Sequence, residues 1–120
     1  MNRIGIIGAM DEEVSQIKAM MADVKLTVKA SMEFNSGTFG GKAVVVVRSG
    51  IGKVNAAVCT QILIDEYKVE AVINTGIAGS LKTEINIGDM VLSTDALQHD
   101  VDATGFGYDY GIIPRMETSV

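Results

Sequence analysis

Ile4-Gly5-Ile6-Ile7-Gly8-Ala9-Met10-Asp11-Glu12-Glu13-Val14 joins an apolar run, a glycine turn and three carboxylates in direct succession. Ile4, Ile6 and Ile7 are β-branched and Gly8 stops them, which predicts a short strand. The run is continuous rather than alternating, so the strand is expected to be covered on both faces. Met10, Val14, Ile17, Met20 and Met21 then recur at helical spacing, which predicts a helix opened by the acids. At roughly 100° per residue these five share one stripe. Glu13 falls inside that stripe, Glu12 points to the opposite side and Asp11 lies on the flank. Acids suit a first helical turn because the helix dipole gathers positive charge there. That accounts for Asp11 and Glu12. It accounts less well for Glu13, because a carboxylate on an inward face is costly unless it is paired or used. Glu13 is therefore the candidate functional group.

The rest of the chain extends this strand-turn-helix theme. Lys25 to Met32 alternates in part and predicts a half-exposed strand. Phe34 to Phe39 predicts a second strand, with a tight turn at Gly40-Gly41. Ala43-Val44-Val45-Val46-Val47 predicts a buried strand, broken by Ser49-Gly50-Ile51-Gly52. A helix is expected from about Lys53 to Tyr67. Ala71-Val72-Ile73-Asn74 predicts another buried strand, followed by Thr75-Gly76-Ile77-Ala78-Gly79-Ser80. A further strand is expected over Asp89 to Ala96, and the glycine- and tyrosine-bearing tail from Asp100 reads as a long loop. Strands alternating with helices predict an α/β domain with a largely parallel sheet. Ligands in such sheets sit beyond the carboxyl ends of the strands. The loops at Gly8-Ala9-Met10, Ser49-Gly50-Ile51-Gly52 and Gly76-Ile77-Ala78-Gly79 are therefore expected to meet at one pocket.

Composition narrows the function classes. The chain has 120 residues, 48% of them hydrophobic, with 13 glycines and one proline. That describes one small globular domain rather than a disordered segment. The net charge of −5 argues against general nucleic-acid binding. No apolar run approaches the roughly 20 residues that span a bilayer. The N-terminus enters a strand without a cationic leader, so a cytoplasmic location is expected. A single cysteine, Cys59, excludes an internal disulfide framework. One histidine, His99, far from that cysteine, argues against a zinc site. His99 reads as part of a solvated polar loop.

Familiar phosphate motifs fail. Gly50-Ile51-Gly52 starts like a dinucleotide fingerprint, but Asn55 stands at the third glycine position. Gly52-Lys53 resembles the end of a nucleotide-binding loop, but Val54 replaces the hydroxyl residue and Val47 the first glycine. Gly50 and Gly52 are equally explained as turn residues. No serine-histidine-aspartate set can be argued from a single histidine.

Together these segments resemble the bacterial 5′-methylthioadenosine/S-adenosylhomocysteine nucleosidase family, within the nucleoside phosphorylase superfamily. The resemblance rests on Ile4 to Met10 followed by Glu12-Glu13-Val14, on Ser49-Gly50-Ile51-Gly52-Lys53-Val54, and on Ile73-Asn74-Thr75-Gly76 with Ala78-Gly79. It continues through Gly88-Asp89, His99-Asp100, Thr104 and Phe106-Gly107-Tyr108-Asp109-Tyr110-Gly111. It covers nearly the whole chain, in order. It implies a three-layer α/β/α fold with a mixed, largely parallel sheet, and hydrolysis of the bond between adenine N9 and ribose C1′ without metal or cofactor. By resemblance, Glu13 is the catalytic carboxylate that orients and deprotonates water. Met10 and Ile51 match positions around the ribose and thioether, and Gly79 matches one near the purine. Ile77 matches a substrate-binding position where members often carry serine. Ala103, Phe106, Tyr108 and Pro114 match a loop that covers the 5′-alkylthio group across a homodimer interface. The implied partner is a small nucleoside, with no nucleic acid and no membrane.

The resemblance also implies that residues 1–120 are the N-terminal half of one nucleosidase domain. The methionine-glutamate segment that grips the ribose hydroxyls has no counterpart here, and Met116-Glu117 lies too early to be it. The aspartate that protonates adenine N7 has none either. The ending at residues 117–120 carries no helix stop. The isolated chain is accordingly expected to be inactive. Other readings are a nucleoside phosphorylase using Arg48 and Lys53 for phosphate, a futalosine hydrolase, and a non-catalytic dimerising or nucleoside-binding fragment.

Overall fold

The computed structural model describes residues 2–116, so the ending at residues 117–120 lies outside the described residues. One compact unit runs to Gly79 and a second begins at Ser80. The first unit contains strands β1 (Arg3–Gly8), β2 (Ala22–Lys29), β3 (Met32–Phe39), β4 (Lys42–Arg48) and β5 (Ala71–Asn74), with helices α1 (Asp11–Ala19) and α2 (Lys53–Tyr67). The strands form one sheet in the order β2-β3-β4-β1-β5.

The apolar runs of β1 and β4 lie inside that sheet, whereas β5, expected to be buried, is an edge strand with no neighbour beyond it among the described residues and all four of its residues exposed. β1 lies between β4 and β5 and is parallel to both, whereas β2, β3 and β4 form an antiparallel meander. The sheet is therefore mixed, as expected. Because the side chains of a strand alternate between faces, the valine run of β4 feeds two cores. Val45 and Val47 join Ile7, Phe34, Cys59 and Leu63 on the face covered by α2. Val44 and Val46 join Ile6 and Val14 on the face covered by α1. Helices on opposite faces make the three layers. Phe34 stacks on Tyr67 with ring centroids 5.3 Å apart, which closes the α2 side.

Four further expectations change. β2 runs from Ala22 to Lys29 rather than from Lys25 to Met32: a register shift with Asp23 at φ +54° extends its start, and Ala30 and Ser31, both at positive φ, turn the chain into β3. β3 starts at Met32 rather than Phe34. α1 ends at Ala19, so Met20 caps the helix and is exposed instead of completing the apolar stripe. Asp89–Ala96 is not a strand: the five strands all precede Ser80 among the described residues. A strand needs a ladder partner to satisfy its backbone groups, and the apolar Met90-Val91-Leu92 run has none. Those three side chains stay exposed.

Among its described residues the second unit carries one 3-10 turn, Thr104–Phe106. The Asp102 carboxylate nucleates it by accepting from the Thr104 N–H and hydroxyl at 3.1 and 2.7 Å. These bonds hold the Asp102 carboxyl below its ordinary pKa. The Tyr110 hydroxyl donates to the His99 carbonyl, and His99 itself is exposed. Among the described residues no helix is long and apolar enough to cross a membrane.

Candidate active site

Three parallel strands end side by side. In register, Gly8 of β1 faces Arg48 of β4, and Ile7 faces Asn74 of β5. The chain leaving β4 is tied back by Ser49 N–H to the Gly8 carbonyl at 2.9 Å. The chain leaving β5 is tied by Thr75 N–H to the Ile7 carbonyl at 2.8 Å. The three glycine-bearing loops thus start together, although the third, expected to share one pocket with the others, is not among the residues lining the groove. The first two line an open groove of about 610 Å³, floored in part by Ala9, Met10, Ser49, Gly50 and Ile51. Gly50 and Gly52 sit at φ +84° and +99°, a backbone conformation that glycine adopts without strain.

The third loop reaches the first through Glu13. Its Oε2 accepts hydrogen bonds from the backbone N–H of Ala9 at 2.7 Å and Met10 at 3.1 Å. Its Oε1 accepts one from the Ile77 N–H at 3.2 Å. Met10 is the N-cap of α1 and Glu13 the third helical residue, so the carboxylate folds back over its own helix start. The Ile77 bond lowers the Glu13 pKa most, followed by the Met10 bond. Partial burial pushes the other way, and the Ala9 bond adds to the lowering. Glu13 is therefore an anion at neutral pH. A carboxylate has roughly four acceptor directions, and three are taken, two on Oε2 and one on Oε1. One direction on Oε1 remains for a water or a ligand proton.

Two glycines make room for this arrangement. A Cβ on Gly8 would lie 2.6 Å from Val14 Cγ1 and 3.0 Å from Glu13 Cβ, so Gly8 lets α1 start against the end of β1. A Cβ on Gly76 would lie 2.5 Å from Glu13 Oε1 itself.

The three acids divide as the helix geometry anticipated, with one addition. Asp11 Oδ2 accepts from Arg48 Nη1 at 2.8 Å, an exposed pair at the groove. Glu12 is exposed and lines the groove. Glu13 alone is half-buried and aimed at backbone donors.

Of the other expected site residues, Met10 and Ile51 line the groove. Ile77 contributes its backbone N–H, while its side chain is 85% exposed. Gly79 follows on the same loop, with open space around it. Ala103, Phe106, Tyr108 and Pro114 belong to the second unit. There Ala103 is buried and its carbonyl accepts from Phe106 N–H at 2.9 Å, Phe106 is exposed, Tyr108 is half-buried and Pro114 is exposed. Sequence reasoning missed the backbone donors Ala9 and Ile77, the role of Gly76, and the groove residues Ala30, Ser31, Met32 and Asn55. The last group carried a faint signal, since a hairpin turn had to lie between the second and third strands.

The phosphorylase superfamily model matches residues 3–119. The chain belongs to the phosphorylase superfamily. A 5′-methylthioadenosine/S-adenosylhomocysteine nucleosidase from Marinomonas sp. is 53% identical over 116 residues, which are 97% of this chain and 50% of that protein. The solved nucleosidase of Colwellia psychrerythraea, in complex with adenine, superposes with a TM-score of 0.92 at 47% identity. That match covers 94% of this chain and 47% of the other. A futalosine hydrolase from Helicobacter pylori superposes with a TM-score of 0.87 at 33% identity, over 98% of this chain and 50% of the other. The chain spans about half the length of the curated relatives it matches.

Proposed function

We propose that this chain forms one half of a single-domain N-ribosyl hydrolase acting on 5′-methylthioadenosine and S-adenosylhomocysteine, and that Glu13 is its water-activating carboxylate. The observation that carries this reading is the Glu13 carboxylate. It is ionised, pinned by three backbone amides at the carboxyl ends of parallel strands, and left with one acceptor direction.

The chemistry follows from that geometry. As the C1′–N9 bond breaks, its electron pair leaves with adenine and positive charge develops on the ribose. A fixed anion below the sugar stabilises that charge more than it stabilises the neutral substrate. A water held on Glu13 Oε1 attacks C1′. Because hydrogen bonding lowers the Glu13 pKa, it is a weak base toward free water. It takes the proton only once the water oxygen has begun to bond to C1′ and become acidic. Adenine needs a proton at N7, and by the resemblance the aspartate that supplies it has no counterpart in these 120 residues, so the isolated chain is expected to be inactive. No metal or cofactor enters.

Met10 and Ile51 are proposed to flank the ribose and thioether, Gly79 to lie by the purine, and Ile77 to be a further substrate-binding position. Ala103, Phe106, Tyr108 and Pro114 are proposed to cover the 5′ group of the other subunit in a homodimer working in the cytoplasm. The adenine-bound Colwellia relative supports the substrate class, and the higher identity to nucleosidases favours them over futalosine hydrolase. The test is adenine release by this chain fused to the second half of the Colwellia enzyme, with and without phosphate. Phosphate-independent release producing the free 5-thioribose is expected. Ribose 1-phosphate as product would reject the hydrolase reading, and turnover of futalosine alone would reject the substrate.

A further inference from the structure

The loop after β5 crosses directly over the Glu13 carboxylate. Thr75 is fixed to β1 through its N–H, and Ile77 is fixed to Glu13 through its own. Gly76 lies between these two anchors. A Cβ built there would have as its three nearest neighbours Glu13 Oε1 at 2.5 Å, Glu13 Cδ at 2.9 Å and Glu13 Oε2 at 3.4 Å. All three belong to one carboxylate. Contact under about 3 Å forces a displacement, and the atoms in the way are the far end of a flexible side chain rather than backbone. Gly76 therefore differs from Gly8, whose Cβ would strike the fully buried Val14 and disturb the packing of α1 on the sheet. Gly76 also has a φ outside the left-handed region, so an alanine meets no backbone strain there.

We infer that Gly76 is a positioning residue for the reaction proposed above: its missing side chain holds Glu13 Oε1 under the Ile77 amide and keeps one acceptor direction of that oxygen open. A methyl group at position 76 would swing the carboxylate away, break the bond to Ile77 and leave the rest of the fold in place. This rests on the reading of Glu13 as the water-activating group, but its geometric half stands or falls separately. The Ile77 bond is also the largest cause of the lowered Glu13 pKa, so the displacement has a titration signature.

The test is Gly76→Ala in the 120-residue chain, with the Glu13 carboxyl carbon and the Ile77 amide followed by NMR through an acid titration. The Glu13 midpoint is expected to rise toward its ordinary value of 4.5, and the Ile77 amide proton to move upfield as its bond is lost. An unchanged midpoint with an unchanged Ile77 amide would overturn the inference. If Gly76→Ala does not fold, the double variant Glu13→Ala/Gly76→Ala decides. Recovery of the fold supports the clash with the carboxylate, and continued failure overturns it. In the fused enzyme, kcat is expected to fall by about tenfold or more, with KM little changed, because only the transition state needs the aimed oxygen. Retained kcat alongside the titration shift would sink the positioning role. The functional reading is judged by Glu13→Gln, so a failure there leaves the Gly76 titration result separately readable.

Discussion

Glu13→Gln probes the site most directly, because the amide keeps the side chain's length and changes only its charge and one acceptor. Two backbone N–H groups converge on Oε2 and one on Oε1. A glutamine offers one acceptor oxygen and one NH2 group that only donates. With its oxygen in the Oε2 place, it keeps the bonds to Ala9 and Met10 and turns its NH2 against the Ile77 N–H. Flipped, it keeps Ile77 and opposes the other two donors. Two bonds outweigh one, so the first arrangement wins. The atom in the Oε1 place is then a donor that cannot accept a water's proton. Losing a positioned base costs about 10²–10⁴ in rate, and loss of the anion beneath a developing cation acts in the same direction. Adenine release from 5′-methylthioadenosine by the fused enzyme is expected to fall at least about a hundredfold. Adenine binding, which involves no charge at C1′, should persist by calorimetry. In the 120-residue chain, the Ile77 amide should lose its hydrogen bond while those of Ala9 and Met10 keep theirs. Turnover within about a factor of two of the unmodified protein would refute the base role.

Three further outcomes are expected. The folded-state pKa of Glu13 is depressed below 4.5, so its contribution to stability is present above pH 4.5 and is lost as pH falls through the folded value. Urea titrations should show that acid-side loss in the native chain and less of it in Glu13→Gln; equal losses would contradict the hydrogen-bond accounting. Burial pushes the Cys59 thiol up to about 11, so iodoacetamide at about pH 8 should spare it until urea unfolds the chain, and rapid labelling of the native protein would count against the packing. Leu63→Ala should destabilise the first unit by about 2–5 kcal/mol, since Leu63 is fully buried between α2 and the sheet; a loss under about 1 kcal/mol in urea denaturation would show that the site collapses around the cavity.

What could be read in the sequence depended on whether a feature is local. The isoleucine and valine runs placed β1 and β4, because a strand covered on both faces has to be apolar throughout; Ala71–Asn74 did form a strand, but at the sheet's edge and exposed rather than buried. The glycine break at Ser49-Gly50-Ile51-Gly52 and the turn before β5 bounded α2 at Lys53–Tyr67, as expected. Helix phase singled out Glu13 among three adjacent acids, and Asp11 and Glu12 did turn to exposed positions. The Asp89–Ala96 reading failed for the complementary reason. Apolar content can predict a strand, but only a partner can make one, and no ladder reaches Met90-Val91-Leu92. The Gly76–Ile77 contribution was out of reach as well. It depends on a backbone amide 64 residues from Glu13, and no side-chain pattern encodes where a main-chain donor will point. Ile77 drew notice for the hydroxyl it lacks, whereas its contribution is the N–H that every residue except proline carries.

The opening strand, turn and helix also bear on why water rather than phosphate should be the nucleophile. A helix N-terminus following a strand is where phosphate groups commonly bind, because free backbone N–H groups and the helix dipole converge there. Here the chain fills that position itself. The Ala9 and Met10 N–H groups, which would face an incoming anion, are satisfied by Glu13 Oε2. Arg48, the cation at the end of β4, is engaged by Asp11. A phosphate dianion would have to displace one carboxylate and break the ion pair of another, beside an exposed Glu12 that lines the same groove. A neutral nucleophile meets none of these obstacles and needs only the open acceptor direction on Oε1. The built-in carboxylate thus turns an anion-binding architecture into one suited to water.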